Sequence, residues 1–387
     1  MSRIGRVHLN FEDNMIISLF LLYVIMKPFY FWRSGLPQPA DFIFIVLIFI
    51  VLLRVDVRRT FSYFARQKIV VLALLFVFWI FTVNSVWTII LSNPRILFPT
   101  VFYFYNVMVF IIVLILVHRY GQLFLNKFFL AVVLSVSIQF VLFLAAGGFG
   151  GGRETANFNN PNQLGYYGLL ALVSVFYVQS KIYINKVFFI FAAAASFTLL
   201  LASLSKAAIV SALALLLLHL IFQLTNVRNR MFMIILTIII LVMAIFISGF
   251  DLVSITDSSL LDTVNRRLQS IGQDSDDSLE GRGYDRIFDH PEYWIFGSGE
   301  GNNSRFTGLL GNNMEFHSTL GNIQVSYGII GTILFLSILL FSLKRNNYAD
   351  WYLIFALLVY GLTHNGIRNT LFWILLALLN FTRYENC

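Results

Sequence analysis

The chain has 387 residues, of which 58% are hydrophobic and 12% charged, and a formal net charge of +8. Soluble domains hold about 25% charged residues, so a mean hydropathy of +0.79 leaves little of the length for one. The basic excess sits singly or in short groups between apolar runs, which is how membrane helices are oriented, and no nucleic-acid partner is expected. Runs near 20 apolar residues suit helices rising 1.5 Å per residue through a ~30 Å hydrocarbon core. The alternating segments of a β-barrel are absent. The prediction is an all-α, polytopic transmembrane helix bundle of about 12 spans, a single integral membrane domain over 1–387.

In chain order the predicted spans are 15–31, 40–53, 69–91, 96–117, 128–146, 164–180, 187–203, 207–224, 231–248, 319–343, 351–363 and 370–382. Met15–Phe31 lacks a small-residue cleavage site and reads as a retained first span. With both termini cytoplasmic, sixteen of the 27 Lys and Arg residues fall in cytoplasmic segments, as the positive-inside rule requires. Twelve of the 19 acidic residues fall between 249 and 318, which is therefore read as one large periplasmic loop within the domain. Inside it, Ser254–Ser270 has the spacing of a short amphipathic helix, with Leu260, Leu261, Val264 and Leu268 on one face. Gly281–Phe288 reads as helical and Gly297–Gly301 as a loop.

Four polar stretches interrupt the apolar pattern. Gly147–Gln163 combines glycines, Arg153 and the amides of Asn157, Asn159, Asn160, Asn162 and Gln163. A planar guanidinium suits phosphate or carboxylate, and amides hydrogen-bond sugars; the competing reading is a turn in which Pro161 and Asn162 cap the next helix. Ser203-Leu204-Ser205-Lys206 joins two apolar spans almost without a loop, so Lys206 is either a buried cation facing a polar cavity or an interfacial residue. Arg282 and Arg286, four residues apart, would share one helix face and suit a diphosphate, unless they pair with neighbours such as Asp285 and Asp289. They lead into His290-Pro291 and Gly297-Ser298-Gly299-Glu300-Gly301. His317, at the start of the tenth span, can exchange protons near neutral pH. His364, Asn365 and Arg368 form a smaller polar group on the same side. The lone cysteine, Cys387, supports no disulfide framework. With no CxxC, HExxH or P-loop, neither a metal site nor a cofactor is expected.

In order, Arg153, Asn160-Pro161-Asn162-Gln163-Leu164-Gly165, Ser205-Lys206-Ala207, Gly281-Arg282, His290-Pro291, Gly-x-Gly-x-Gly and His317-Ser318, ahead of Gly328 and Gly331, make a set. This set resembles the O-antigen polymerase and O-antigen ligase superfamily of bacterial envelope proteins. The resemblance covers about residues 150–335; the first five spans match it only in being hydrophobic. Lys206 stands where the family often has arginine, and Ser318 where asparagine is commoner. The resemblance implies an inner-membrane glycosyltransferase with a periplasmic active site, inverting and metal-independent. Its donor would be an undecaprenyl-diphosphate-linked oligosaccharide, its surroundings membrane lipid, and it admits a polysaccharide chain-length regulator as partner. His317, Arg282 and Arg153 would be catalytic, with His317 as base and the arginines stabilising the diphosphate. Arg286, Lys206, Asn160, Asn162 and Glu300 would bind substrate. The Asn-rich turn and Gly-flanked Arg153 favour a polymerase acting on a sugar hydroxyl of another lipid-linked repeat unit. The alternative is a ligase acting on lipid A–core. A non-enzymatic glycolipid flippase or transporter is the alternative of another class, disfavoured because the polar residues concentrate at one face.

Overall fold

The structure is a computed structural model that describes residues 10–33, 35–54, 67–149, 152–224, 281–301, 303, 306, 316–344 and 350–381. Every regular element among them is helical. The long helices are α1 (Phe11–Met26), α2 (Pro39–Arg54), α3 (Lys68–Leu91), α4 (Phe98–Ala145), α5 (Pro161–Lys181), α6 (Lys186–Ala202) and α7 (Lys206–Leu224). After them come the short α8 (Asp285–Asp289), then α9 (Thr319–Lys344), α10 (Trp351–Gly361) and α11 (Thr370–Leu378), with 3-10 turns at Pro94–Leu97 and Pro291–Tyr293. The predicted span 231–248 and the amphipathic helix Ser254–Ser270 lie outside the described residues. Among the described residues, three helical stretches, Lys68–Leu91, Pro94–Ala145 and Thr319–Lys344, are long and apolar enough to cross a membrane. Their outer faces carry exposed Phe78, Phe81, Phe104 and Ile333. Apolar surface on both inner and outer faces is what a helix presents when its solvent is lipid.

Local chemistry sets the helix ends. Asn10 caps α1, its side chain accepting from Asp13 N at 2.7 Å, and the helix ends before Pro28. The sequence-predicted first span ran on through that proline, whose ring disfavours helical geometry in the preceding residue. The two spans predicted at 96–117 and 128–146 are joined in one helical stretch, interrupted only at Gly121 (φ 52°, ψ −126°). At 1.5 Å per residue a straight helix of this length would run about 72 Å, more than twice the hydrocarbon core. The chain reverses there instead. Tyr105, on the first limb, bonds Asp41 at 2.7 Å; Arg119, near the reversal, bonds Asp13 at 2.8 Å. Ser135, on the second limb, has returned to lie 2.7 Å from the Tyr167 hydroxyl.

Ion pairs pin both ends of the bundle. Lys27–Asp41, at 2.6 Å, closes α1 onto α2 at the end that also holds the 152–160 loop. Arg119–Asp13 (2.8 Å) and Lys181–Asp350 (2.6 Å) lie at the opposite end. The close packing of α5 on α6 depends on Gly168, where a Cβ would sit 2.8 Å from the Ser196 carbonyl.

Within the predicted periplasmic loop, residues 294–300 pack into the helix bundle. Gly328 (φ 66°, ψ −168°) breaks α9, and residues 294–300 run into the break. Ser298 N donates to Val325 O at 2.9 Å and Gly299 N to Ser326 O at 2.8 Å, while Ile329 N donates to Trp294 O at 2.7 Å. Two tryptophans of α3 complete the junction, Trp79 Nε1 donating to Tyr327 O (2.8 Å) and Trp87 Nε1 to Gly297 O (3.0 Å). A broken helix is tolerated at membrane depth only when its freed backbone groups find partners in this way. The crossing needs two glycines: a Cβ on Gly297 would collide with the Ser326 carbonyl, and one on Gly328 with the Ile295 carbonyl. The backbone angles of Gly328 are ones only glycine adopts readily. Gly328→Ala is therefore expected to cost at least roughly 1–3 kcal/mol, read as a lower unfolding temperature in detergent. Gly152→Ala, with nothing within 4 Å of the added carbon, should leave that temperature unchanged; equal melting of the two variants would refute the role given to the crossing.

Candidate active site at one end of the bundle

Most of the sequence-predicted site residues fall into two groups that meet on residues 360–369, the end of α10 and the connection to α11. The first group is built around the α6–α7 turn. Leu204 takes a left-handed conformation there (φ 48°), and Ser205 N bonds Ser203 Oγ at 3.2 Å. Gly165 lets α5 approach this turn: a Cβ there would lie 2.5 Å from Ser203 Oγ, 3.0 Å from Ser205 Cβ and 3.1 Å from Ala208 Cβ. Arg153 spans the gap, its Nε donating to Ser203 O at 3.3 Å and its Nη2 to Asn162 Oδ1 at 2.5 Å. Arg153, Asn162 and the turn leading into Lys206 thus form one cluster. Asn160 has a structural task within it, since its side chain accepts from Gln163 N at 2.9 Å and caps α5 ahead of Pro161. The cap expected of Asn162 falls to Asn160, two residues earlier, because Pro161 occupies the first helical position. Asn159 Nδ2 donates to Trp32 O at 3.2 Å, seating the loop on the α1–α2 connection.

The second group is the turn 281–284 and the start of α9. The helix expected over Gly281–Phe288 begins only at Asp285, so Arg282 lies in the preceding turn, where Gly283 is left-handed (φ 81°). The guanidinium groups of Arg282 and Arg286 therefore do not form the pair on one helix face that their spacing suggested. Arg282 Nη1 donates to the Thr363 carbonyl, whereas Arg286 lies 5.5 Å over the Phe306 ring. Burial holds the Arg286 guanidinium below its usual pKa, against the opposing charge of Asp285. His317 joins Arg282 through the backbone, His317 N donating to Arg282 O at 3.3 Å. Ser318 Oγ accepts from Gly321 N at 3.1 Å and donates to Gly361 O at 3.2 Å, which ties the start of α9 to the end of α10. The Tyr284 hydroxyl sits 2.8 Å from Ser318 Oγ and 2.6 Å from Leu362 O. Beneath lies a small apolar cluster of Phe306, Phe316 and Val325 with Tyr284, Ile287 and Tyr293 against it.

Aromatic stacking links the groups. Tyr166, next to Gly165, stacks on Tyr360 with centroids 4.2 Å apart and planes 12° apart, and Tyr360 stacks on His364 at 5.0 Å. The Tyr360 hydroxyl donates to Asn162 O at 3.3 Å. A continuous path of contacts therefore runs from Arg153 through Asn162 and Tyr360 to the connection whose Thr363 carbonyl receives Arg282. Among the described residues no three or more His, Cys, Asp or Glu side chains gather so as to hold a metal ion.

Glu300 has a different position from the one a substrate-binding role suggests. It is only 3% exposed, and both carboxylate oxygens already have protein partners. Oε1 accepts from Arg368 Nη2 at 2.5 Å and Asn322 Nδ2 at 2.8 Å, and Oε2 from the Tyr327 hydroxyl at 2.6 Å. Its backbone N–H donates to Asn84 Oδ1 at 3.0 Å. This carboxylate joins α3, α9 and the connection before α11. No local sequence pattern signals the pairing, since Arg368 lies 68 residues away. Burial opposes ionisation of Glu300, but the Arg368 charge and the hydrogen bonds from Tyr327, Asn322 and Arg368 outweigh it and hold its pKa below the ordinary carboxylate value. A depressed pKa gives stability that is complete above the unfolded-state value, near 4.3, and is lost as pH falls through the folded-state value. Glu300→Gln is expected to lower stability by roughly 3–5 kcal/mol at neutral pH, with variant and parent converging in thermal melts as the pH drops below about 4. A gap that stays constant with pH would remove the ion pair as its cause.

Residues 191–336 match the family model described as O-antigen ligase. The match takes in α6, α7, Arg282, the Gly-x-Gly-x-Gly loop, Glu300, His317 and the broken part of α9, and stops short of Arg153, Asn160 and Asn162 on one side and Arg368 on the other. No curated protein matches the chain. The chain, helical in every regular element among its described residues, is thus an integral membrane protein whose residues 191–336 match the O-antigen ligase model, consistent with the O-antigen polymerase and ligase superfamily.

Proposed function

We propose that the protein is a polysaccharide polymerase. It transfers a glycan from undecaprenyl diphosphate onto a sugar hydroxyl of another lipid-linked repeat unit, at the periplasmic face of the bacterial inner membrane. The observation that supports this reading is that Arg282, backbone-bonded to His317, donates to the Thr363 carbonyl, while Asn162, bonded by Arg153, accepts from Tyr360 three residues earlier. The family segment supports a glycosyltransferase acting on lipid-linked polysaccharide.

In the proposed reaction His317 takes the proton of the acceptor hydroxyl as its oxygen forms a bond to the anomeric carbon. The bond from that carbon to the diphosphate oxygen breaks on the opposite face, so the configuration inverts. Undecaprenyl diphosphate leaves with the electron pair. Arg282 and Arg153 stabilise the charge that develops on it, with Arg286 and Lys206 adding to the field. Cations fixed before the reaction, held here by carbonyl oxygens of the fold, are worth more than mobile ones because they need no reorganisation as charge builds. Asn162 and Asn160 lie along the Arg153 side, and Glu300 acts by holding Arg368 at the same end. The second reading, a ligase that places the glycan on lipid A–core, is favoured by the description of the matching family.

Deleting the gene in its host and resolving lipopolysaccharide by electrophoresis separates the two. One repeat unit on core is expected for a lost polymerase; bare core with accumulated lipid-linked polymer would indicate a ligase, and an unchanged ladder would exclude both. His317→Ala is expected to slow transfer roughly 10²–10⁴-fold, the usual worth of a general base. Arg282→Ala should cost on the order of 10²–10³-fold, by analogy with loss of one charge-stabilising donor. Both variants should extract and migrate as folded protein; full activity in both would refute the assignment.

A further inference from the structure

Trp294, Ile295 and Phe296 are 47%, 57% and 62% exposed, yet they are not at the surface of the bundle's end. Their backbone is fixed at the break in α9. Gly328 lies nine residues beyond the start of α9 at Thr319, which is about 14 Å along the helix axis at 1.5 Å per residue. The Phe296 ring packs 6.3 Å from Trp79, which is twelve residues from the end of α3 at Leu91, a second measure of depth of about 18 Å. No residue from Tyr293 to Gly299 is charged. The backbone on either side of the tip is bonded into the fold. Gly297 N bonds Tyr293 O at 2.9 Å, and the bonds to Val325, Ser326, Ile329 and Trp87 satisfy the groups around it. Charge resumes only on either side, at Glu292 on an exposed turn and at Glu300, which is buried against Arg368.

We infer that Trp294–Phe296 form the tip of a re-entrant hairpin inserted into the hydrocarbon of the leaflet on the site side, with bilayer lipid as its partner. The hairpin follows directly on the turn that bears Arg282, through α8 and the Tyr293–Phe306–Phe316 cluster. Inserting it into lipid holds that turn at the level of the lipid headgroups, whatever reaction the site performs. The Trp294 ring nitrogen donates to the Ile287 carbonyl of α8, which ties the tip to the segment that follows the Arg282 turn.

The test uses the full chain in phosphatidylethanolamine–phosphatidylglycerol vesicles. Ile295→Cys and Phe296→Cys, each combined with Cys387→Ser to remove the sole native thiol, are labelled with bimane and compared with Glu292→Cys. Doxyl-labelled phosphatidylcholine is expected to quench the labels at 295 and 296 several-fold more than the label at 292, with aqueous iodide giving the reverse order. Iodide quenching at 295 and 296 equal to that at 292 would overturn the inference. So would protection of both labels from either quencher, the result if protein covers the tip. A measurement without substitution stands beside it: a diazirine-bearing phospholipid should leave adducts on Trp294–Phe296 of the unaltered chain, and their absence while α3 and α9 are labelled would equally refute insertion.

Discussion

A peptide N–H or C=O in hydrocarbon has no water to turn to, and that constraint shapes the central part of this protein. Breaking α9 at Gly328 exposes the carbonyls of Val325, Ser326 and Tyr327 and the N–H of Ile329. Each is met by a donor or acceptor from 294–299 or from Trp79. The break and the incoming loop are therefore a single feature. Without the loop the helix would have reason to close up, and without the break the loop would have nothing to bond. The two tryptophans of α3 lock the junction from the other side, so three distant parts of the chain are held at one place.

The junction also delivers Glu300 into the bundle. A lone carboxylate there would be prohibitively costly, and the cost is offset by Arg368 together with Asn322 and Tyr327. The cation comes from the same α10–α11 connection that receives Arg282 through Thr363, just after Tyr360 at the end of α10 stacks on Tyr166 of α5. That short connection is thus where the buried ion pair, the arginine turn and the Arg153 loop are referred to one another. Gly366 fits the same account: a Cβ there would press into the Tyr166 ring at 2.6 Å.

Much of this was legible in the sequence wherever the signal was local. Apolar run length marked the long helices, and Asn160-Pro161 announced a helix start by the usual capping chemistry. The polar stretches around Arg153, Ser205-Lys206, Arg282 and His317 stood out against an apolar background. What stayed hidden depended on contacts across the fold. The reversal between the spans at 96–117 and 128–146 was expected, but not that it takes place at the single residue Gly121, since Leu123, Phe124 and Leu125 stay helical and Phe124 packs 5.1 Å from Phe20. Arg282 and Arg286 looked like a pair because helical spacing was assumed from Gly281, whereas the helix starts three residues after Arg282. The docking of 294–300 into the broken α9 was not legible either, because its partners Val325, Ser326 and Ile329 lie on a later helix. Glu300 and Arg368 could not be joined by any pattern in the chain.

The contact at Gly165 bears on how the motifs should be read. Asn-Pro-Asn-x-Leu-Gly and Ser-Lys-Ala are about 40 residues apart, yet Gly165 faces Ser203, Ser205 and Ala208 with no room for a methyl group. The small residues at these four positions form one steric unit. Enlarging any of them would force compensating change in the others, so they should vary together across relatives even where the reaction is different. Their appearance as separate words in a sequence then reflects a shared packing contact between α5 and the α6–α7 turn.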